Sequence, residues 1–163
     1  MRLGFGGCGC LILLSLLTAR PPVNPEVNPA ATLQSQAQVP EHVAATLRRA
    51  CFDCHSSETR WPWYSQIPPG VWMVSDDVRR ARQVMNFSDW PDPMGRVSKA
   101  PGLLLAACAV LRAEQMPPQR YLLLHPEAKL SAAEVDAVCE WSRTEAAQIA
   151  ARRRLARARS AGD

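Results

Sequence analysis

The 163-residue chain is long enough for one domain of ordinary size with a leader and a tail. Hydrophobic residues make up 47% of the chain and charged residues 21%, a mix typical of a globular protein. The formal net charge of +4 comes from the C-terminal end, where residues 143–159 hold six arginines and one glutamate. Because the rest of the chain is close to neutral and shows no basic patch interleaved with aromatic residues, we expect no nucleic-acid partner.

Residues 1–20 are predicted to be a signal peptide or an N-terminal membrane tether. Their apolar run, Cys8 to Leu17, follows a single basic residue, Arg2. A spanning helix needs about 20 apolar residues, and this run is about half as long, so its length favours the apolar core of a secretory signal. Both alternatives place the rest of the chain in the periplasm or another extracytoplasmic compartment. The second alternative, a membrane tether, would also attach the protein to a membrane through its N-terminus. Residues 21–39, rich in Pro, Asn and Gln, are predicted to be a linker.

Four segments beyond the linker have the spacing of amphipathic helices. They begin at Pro40, near Gly70, after Pro101-Gly102 and at Ser131, where S-A-A-E matches a capping box. The third segment must end before Pro117. No segment alternates with the period of a strand, so the sequence predicts an all-α fold. Long Pro- and Trp-rich connections at 56–69, 87–100 and 115–130 have the length of loops that carry function.

Cys51, Cys54 and His55 form a C-x-x-C-H motif. Two thiols at this spacing lie on one helical turn, where each can add across a vinyl group of haem and form a thioether. The histidine that follows lies under the ring and can donate an imidazole nitrogen to iron. The motif therefore predicts one covalently attached haem c, with His55 as the proximal axial ligand. Residues 40–142 are then expected to form a small cytochrome c-like helical domain, with its long loops wrapped around the haem.

Two other uses of paired cysteines fit the sequence less well. A redox dithiol needs no adjacent histidine and usually occurs in a βαβ context, which is absent here. A zinc site needs four ligands, but beyond the leader the chain adds only the isolated Cys108 and Cys139. These two fall on apolar helix stripes, so we expect them to be core residues. A disulfide between them is the alternative in an oxidising compartment.

The distal ligand of the haem iron is expected to be Met116. It follows a predicted helix, and Pro117-Pro118 stiffen the chain after it. A thioether on such a loop suits iron, raises the reduction potential and excludes other ligands. His125 is the alternative ligand. If it does not bind iron, we expect it to cap a turn before Ser131. Met85 lies on a helix stripe and is expected to pack in the core.

Three blocks of sequence resemble the bacterial haem-binding domain family, a small c-type cytochrome-like group. They are CFDCHSSETRWPWY at 51–64, NFSDW at 86–90 and MPPQRYLLLHPEAKLS at 116–131. The resemblance covers about residues 40–142 and implies covalent haem, a mostly helical fold and an exported location. It carries the haem-binding roles over to Cys51, Cys54 and His55, and it places Met116 in the M-P-P block. Residues 91–115 match weakly, and the Arg-rich tail, 143–163, lies outside the resemblance.

The surroundings of the haem can be predicted in part. A ligating histidine usually donates its other ring N–H to a carbonyl or carboxylate, and we expect His55 to use a carbonyl near Trp61-Pro62 or Ile67-Pro68. Five aromatic residues are candidates to line the ring or bond a propionate, with ordinary burial as the alternative for each. They are Trp61, Trp63, Tyr64, Trp72 and Trp90.

These features predict an exported monohaem electron carrier that works with a separate redox partner protein. We expect no enzyme, because the chain shows no catalytic constellation. Asp76 and Asp77 are adjacent on a helix, so they do not face each other, and we interpret them as surface residues. The alternative function is a haem-based ligand-binding or sensing module, if Met116 leaves the sixth iron position open. The tail is either a helix that contacts anionic lipid or a solvated charged face.

Overall fold

The computed structural model describes residues 23–95 and 97–161, so the predicted leader lies outside the described residues. The α-helices, in chain order, are α1 Leu33–Gln36, α2 Glu41–Ala50, α3 Phe52–His55, α4 Gly70–Val84, α5 Ala100–Arg112, α6 Gln119–Leu122 and α7 Ala132–Ser160. Short 3-10 helices at Pro29–Ala31, Trp63–Gln66 and Pro126–Ala128 lie in the connections. The described residues contain no strand, which confirms the all-α prediction.

Local sequence signals fix the helix boundaries. The predicted capping box at the start of α7 is present, since Glu134 N–H donates to Ser131 Oγ at 3.2 Å and Ser131 N–H donates to the Glu134 carboxylate at 2.8 Å. At the start of α4, a Cβ on Gly70 would lie 2.0 Å from the carbonyl oxygen of Tyr64. Only glycine therefore permits the close approach of the Trp63–Gln66 turn to α4.

The core forms where α5 packs along α7. Leu104 from α5 and Val138 and Ile149 from α7 are almost completely buried there. Phe52 of α3 packs on Phe87 with 5.1 Å between ring centroids, which joins the short helix to the same core. None of the described helices combines the length and apolarity needed to cross a bilayer.

The stretch predicted as a linker packs on the domain from residue 24 onward. Leu33 is 0% exposed and belongs to the main core. Asn24 donates to the carbonyl of Thr59 at 2.8 Å, and the carbonyl of Gln38 accepts the indole N–H of Trp141 at 2.9 Å. Residues in this range are therefore packed on the folded domain, which their Pro-rich composition did not indicate.

Cys108 of α5 and Cys139 of α7 form a disulfide. The expectation that they are separate core residues is wrong, although both are buried as expected. Their Cα atoms lie 4.7 Å apart, within the range that a disulfide spans. The sequence shows which face of each helix is apolar, but it does not show which positions of the two faces meet.

Removal of this crosslink should destabilise the domain. For Cys108→Ala/Cys139→Ala we expect the free energy of unfolding to fall by about 3–4 kcal/mol, because the crosslink restricts a long loop of the unfolded chain. Urea unfolding followed by circular dichroism measures the difference. Dithiothreitol should lower the wild-type midpoint toward that of the variant and leave the variant unchanged. Equal midpoints for oxidised wild type and variant would contradict the prediction.

Candidate functional site

A largely apolar cavity of about 420 Å³ lies between α4, α5 and α7, with the end of α2, the start of α6 and helix α3 completing its wall. This volume falls in the range of about 300–1,000 Å³ that is typical of cofactor pockets. The predicted site residues Cys51, Cys54, His55 and Met116 all line it. Residues more than 60 positions apart in the sequence therefore meet at one cavity.

The C-x-x-C-H motif reaches the cavity because the chain turns where α2 ends. His55 N–H donates to the carbonyl of Cys51 at 2.9 Å, so the motif closes one helical turn. Cys51 and Cys54 are both free thiols, while the other cysteine pair of the described chain is oxidised. The two thiols and the imidazole are thus presented together at the cavity wall, which is the arrangement that thioether formation and iron ligation require.

The two thiols have properties opposite to those of a redox dithiol. Burial raises the pKa of Cys51 to about 12 and, with the nearby carboxylates of Asp53 and Asp77, raises the pKa of Cys54 to about 11. Both therefore stay protonated at neutral pH, whereas the reactive cysteines of disulfide oxidoreductases have lowered pKa values. A zinc site also lacks support. Among the described residues, no cluster of three or more Cys, His, Asp or Glu side chains could hold a metal ion.

His55 is held in an orientation that suits iron. Its Nδ1 lies 3.0 Å from the carbonyl oxygen of Met85, and a hydrogen bond from Nδ1–H leaves Nε2 available as a ligand. Burial lowers the pKa of His55, which favours the neutral imidazole that binds metals. The predicted acceptors near Trp61 and Ile67 are wrong. Met85 follows the end of α4, where carbonyls lack intrahelical partners.

Met116 is placed at the cavity by the way α5 ends. Glu114 has a φ of 54°, and its N–H and that of Gln115 donate to the carbonyls of Leu111 and Val110. This is the hydrogen-bond pattern of a Schellman motif, which reverses the chain after a helix. The reversal brings Met116 to the cavity wall, where its side chain remains 40% exposed.

The alternative ligand His125 does not line the cavity. Its Nε2 lies 2.8 Å from the hydroxyl of Tyr64 and its Nδ1 lies 3.2 Å from the carboxylate of Glu127. Its ring stacks on Tyr121 with 4.2 Å between centroids. Both ring nitrogens therefore have side-chain partners, and the residue holds the loop together. Met85 lines the cavity as well, but it is also the residue whose carbonyl orients His55.

Of the five aromatic candidates, Trp90 lines the cavity and the others do not. Trp63 is 76% exposed and Trp72 also lies largely in solvent. Two residues that the sequence interpretation missed, Tyr121 and Trp141, belong to the wall. Trp141 lies three residues after Val138 on α7, a helical spacing that places both on one face.

Charged residues at the cavity are paired. Arg120 lies 2.6 Å from Asp77, and Arg80 lies 2.7 Å from Asp76. The two aspartates predicted as surface residues are partly exposed, and each has an arginine partner. The cavity thus has an apolar interior, with Arg80, Arg120 and Asp77 as its charged lining residues.

The residues of the cavity fit a haem: a pair of free thiols, an oriented histidine, a methionine and an apolar wall, with the indole N–H of the lining residue Trp90 buried and unpaired. A scan against protein-family models matches the haem-binding domain over residues 10–144. No curated protein and no solved structure matches the chain. The match extends N-terminal to the predicted boundary at residue 40 and ends near the predicted boundary at residue 142. Since the matched region covers most of the chain, the protein belongs to the haem-binding domain family.

Proposed function

We propose that this protein is an exported one-electron carrier with a single haem c. Cys51 and Cys54 would hold the haem through thioethers, and His55 and Met116 would be its axial ligands. The observation that carries the proposal is that all four side chains line one cavity. A haem bound there supplies a one-electron iron centre, and the protein sets its potential and access.

The cavity wall supports electron transfer through its chemistry. Leu104, Leu111 and Val138 surround the site with hydrocarbon, and a low-polarity environment with a methionine ligand raises the reduction potential. His55 bonded to the Met85 carbonyl keeps one orientation, so iron ligation changes little when the oxidation state changes. These residues bind and orient a redox centre, and we propose no enzymatic reaction for them.

Export is supported by the disulfide between Cys108 and Cys139, because such bonds persist mainly in oxidising compartments. We therefore propose a periplasmic or other extracytoplasmic location, with membrane association through the N-terminus if residues 1–20 remain attached. The electron partner would be a separate exported protein. The chain from Arg154 onward continues α7 as an exposed basic helix, which is available to an anionic partner or surface.

The second candidate function is ligand binding or sensing at an open sixth position. It is favoured by the position of Met116 on a loop and not on a helix. A ligand held this way can be displaced more easily than one enclosed in the core. Small gases such as carbon monoxide would then compete for the iron.

The two functions predict different behaviour of the purified holoprotein. For the electron carrier we expect an anaerobic redox titration that fits one electron, low-spin spectra in both oxidation states and no spectral change with carbon monoxide at micromolar concentration. Optical spectroscopy measures all three. High-spin ferrous protein that binds carbon monoxide at once would reject the carrier and favour the sensing module.

A further inference from the structure

The short helix α6 begins three residues after Met116 and has few neighbours. Among the described helical elements, only the 3-10 helix Pro126–Ala128 packs closely on it. The connection from Met116 to α6 is stiff, because it consists of two prolines, of which Pro117 is buried. The carbonyl of Pro118 accepts the N–H of Tyr121 at 2.9 Å. A displacement of Met116 is therefore transmitted to Tyr121.

Tyr121 joins this segment to the C-x-x-C-H turn. Its hydroxyl donates to Oδ2 of Asp53 at 3.1 Å, across 68 positions of sequence. Asp53 lies between Cys51 and Cys54, and its side chain is only 14% exposed. A hydrogen bond to an ionised carboxylate is stronger than one between neutral groups. The bond therefore ties the Met116 segment to the turn that presents the two thiols and His55 to the cavity.

The other polar contacts near α6 do not replace this bond. Arg120 lies 2.6 Å from Asp77, but the two side chains are 70% and 44% exposed, and ion pairs between exposed side chains contribute little to stability. The ring of Tyr121 stacks on His125, which belongs to the same loop, so the stacking does not reach the motif. Of the two polar links from α6 to other helices, the Tyr121–Asp53 bond is the better shielded from solvent.

We propose that Tyr121 is a positioning residue for the Met116–iron bond, and that its hydrogen bond to Asp53 holds the methionine at the sixth position. The inference rests on the proposed function, because it requires a haem ligated by Met116. Movement of Met116 off the iron would carry α6 away from the motif and break the hydrogen bond. The bond therefore stabilises the ligated state and not the open one, so it shifts the site toward electron transfer and away from gas binding.

Tyr121→Phe removes the hydroxyl and keeps the ring. We expect the apparent affinity of the ferrous holoprotein for carbon monoxide to rise by about three- to tenfold, and the reduction potential to fall toward that of Met116→Ala. Tyr64→Phe is the matched control, because its hydroxyl bonds His125 at 2.8 Å and not Asp53. Its affinity should equal that of wild type. Wild-type affinity in Tyr121→Phe, or equal rises in both variants, would overturn the proposal.

A double-mutant cycle tests whether Asp53 is the partner through which Tyr121 acts. Asp53→Ala should raise the affinity for carbon monoxide as much as Tyr121→Phe, and the double variant should show no further rise. Arg60→Ala removes the guanidinium partner of Asp53 and leaves the tyrosine hydroxyl in place, so it should match wild type. Additive rises in the double variant would show that the two residues act separately, and would reject the proposal.

Failure of this inference can be distinguished from failure of the proposed function. All affinities are measured on haem-loaded protein, so they do not depend on how much of a variant acquires haem. If the wild-type chain carried no covalent haem, or if Met116→Ala kept the wild-type affinity, the proposed ligation would fail and this inference with it. A rise in Met116→Ala without a rise in Tyr121→Phe would reject this inference alone.

Discussion

Cys51→Ala/Cys54→Ala should abolish covalent haem attachment completely. The two thiols are the free cysteines of the described residues, and both line the cavity beside His55. Without them no thioether can form, so any haem would be held only by axial ligation and apolar contact. Denaturing gel electrophoresis with haem staining, after expression with the haem-maturation machinery, should show a stained wild type and an unstained variant at equal protein load.

The chain offers a matched control for this variant. Cys108→Ala/Cys139→Ala removes the same number of cysteines from α5 and α7, at positions that do not line the cavity. Its haem stain should equal that of wild type, although its stability should be lower. Loss of stain in the control, or retention of stain in Cys51→Ala/Cys54→Ala, would show that the motif does not carry the haem.

Met116→Ala should open the sixth coordination position of the iron. The Met116 thioether lines the cavity and is the proposed distal ligand, and alanine has no donor atom to replace it. We expect a high-spin ferrous spectrum, a lower reduction potential and an apparent affinity for carbon monoxide raised by at least about tenfold. The last figure corresponds to removing about 1.4 kcal/mol of competition by the methionine. Optical titration with carbon monoxide measures it.

His125→Ala is the control, because His125 is the other ligand that the sequence allows and its ring nitrogens bind Tyr64 and Glu127. This variant should keep the wild-type spectrum, with some loss of stability in the loop. A high-spin spectrum for His125→Ala and an unchanged one for Met116→Ala would reverse the ligand assignment. Unchanged spectra in both variants would favour an open or differently ligated site.

The four longest helices, α2, α4, α5 and α7, could be predicted because their signals are local, whereas the short helices α1 and α6 were not predicted. The capping box at Ser131, the proline near the start of α5 and the apolar spacing of α4 and α7 each act within a few residues. The C-x-x-C-H motif is local in the same sense. It therefore identified the side chains on one wall of the cavity without any knowledge of the fold.

The features that the sequence did not predict depend on contacts between distant segments. The pairing of Cys108 with Cys139 depends on the register of α5 against α7, and the acceptor for His55 depends on where α4 ends in space. Likewise, the apolar residue Leu33 is buried because the stretch before α2 returns to the body. Hydrophobic spacing indicates that a face is buried, but it does not identify the partner of that face.

Peptide mapping of the wild-type holoprotein tests the central claim most directly. Trypsin cleavage after Arg49 and Arg60 releases a peptide, 50–60, that contains Cys51, Cys54 and His55. We predict that mass spectrometry finds this peptide with one haem attached, and finds peptides 100–112 and 130–143 joined by the disulfide. An unmodified 50–60 peptide, or a haem on any other peptide, would contradict the account.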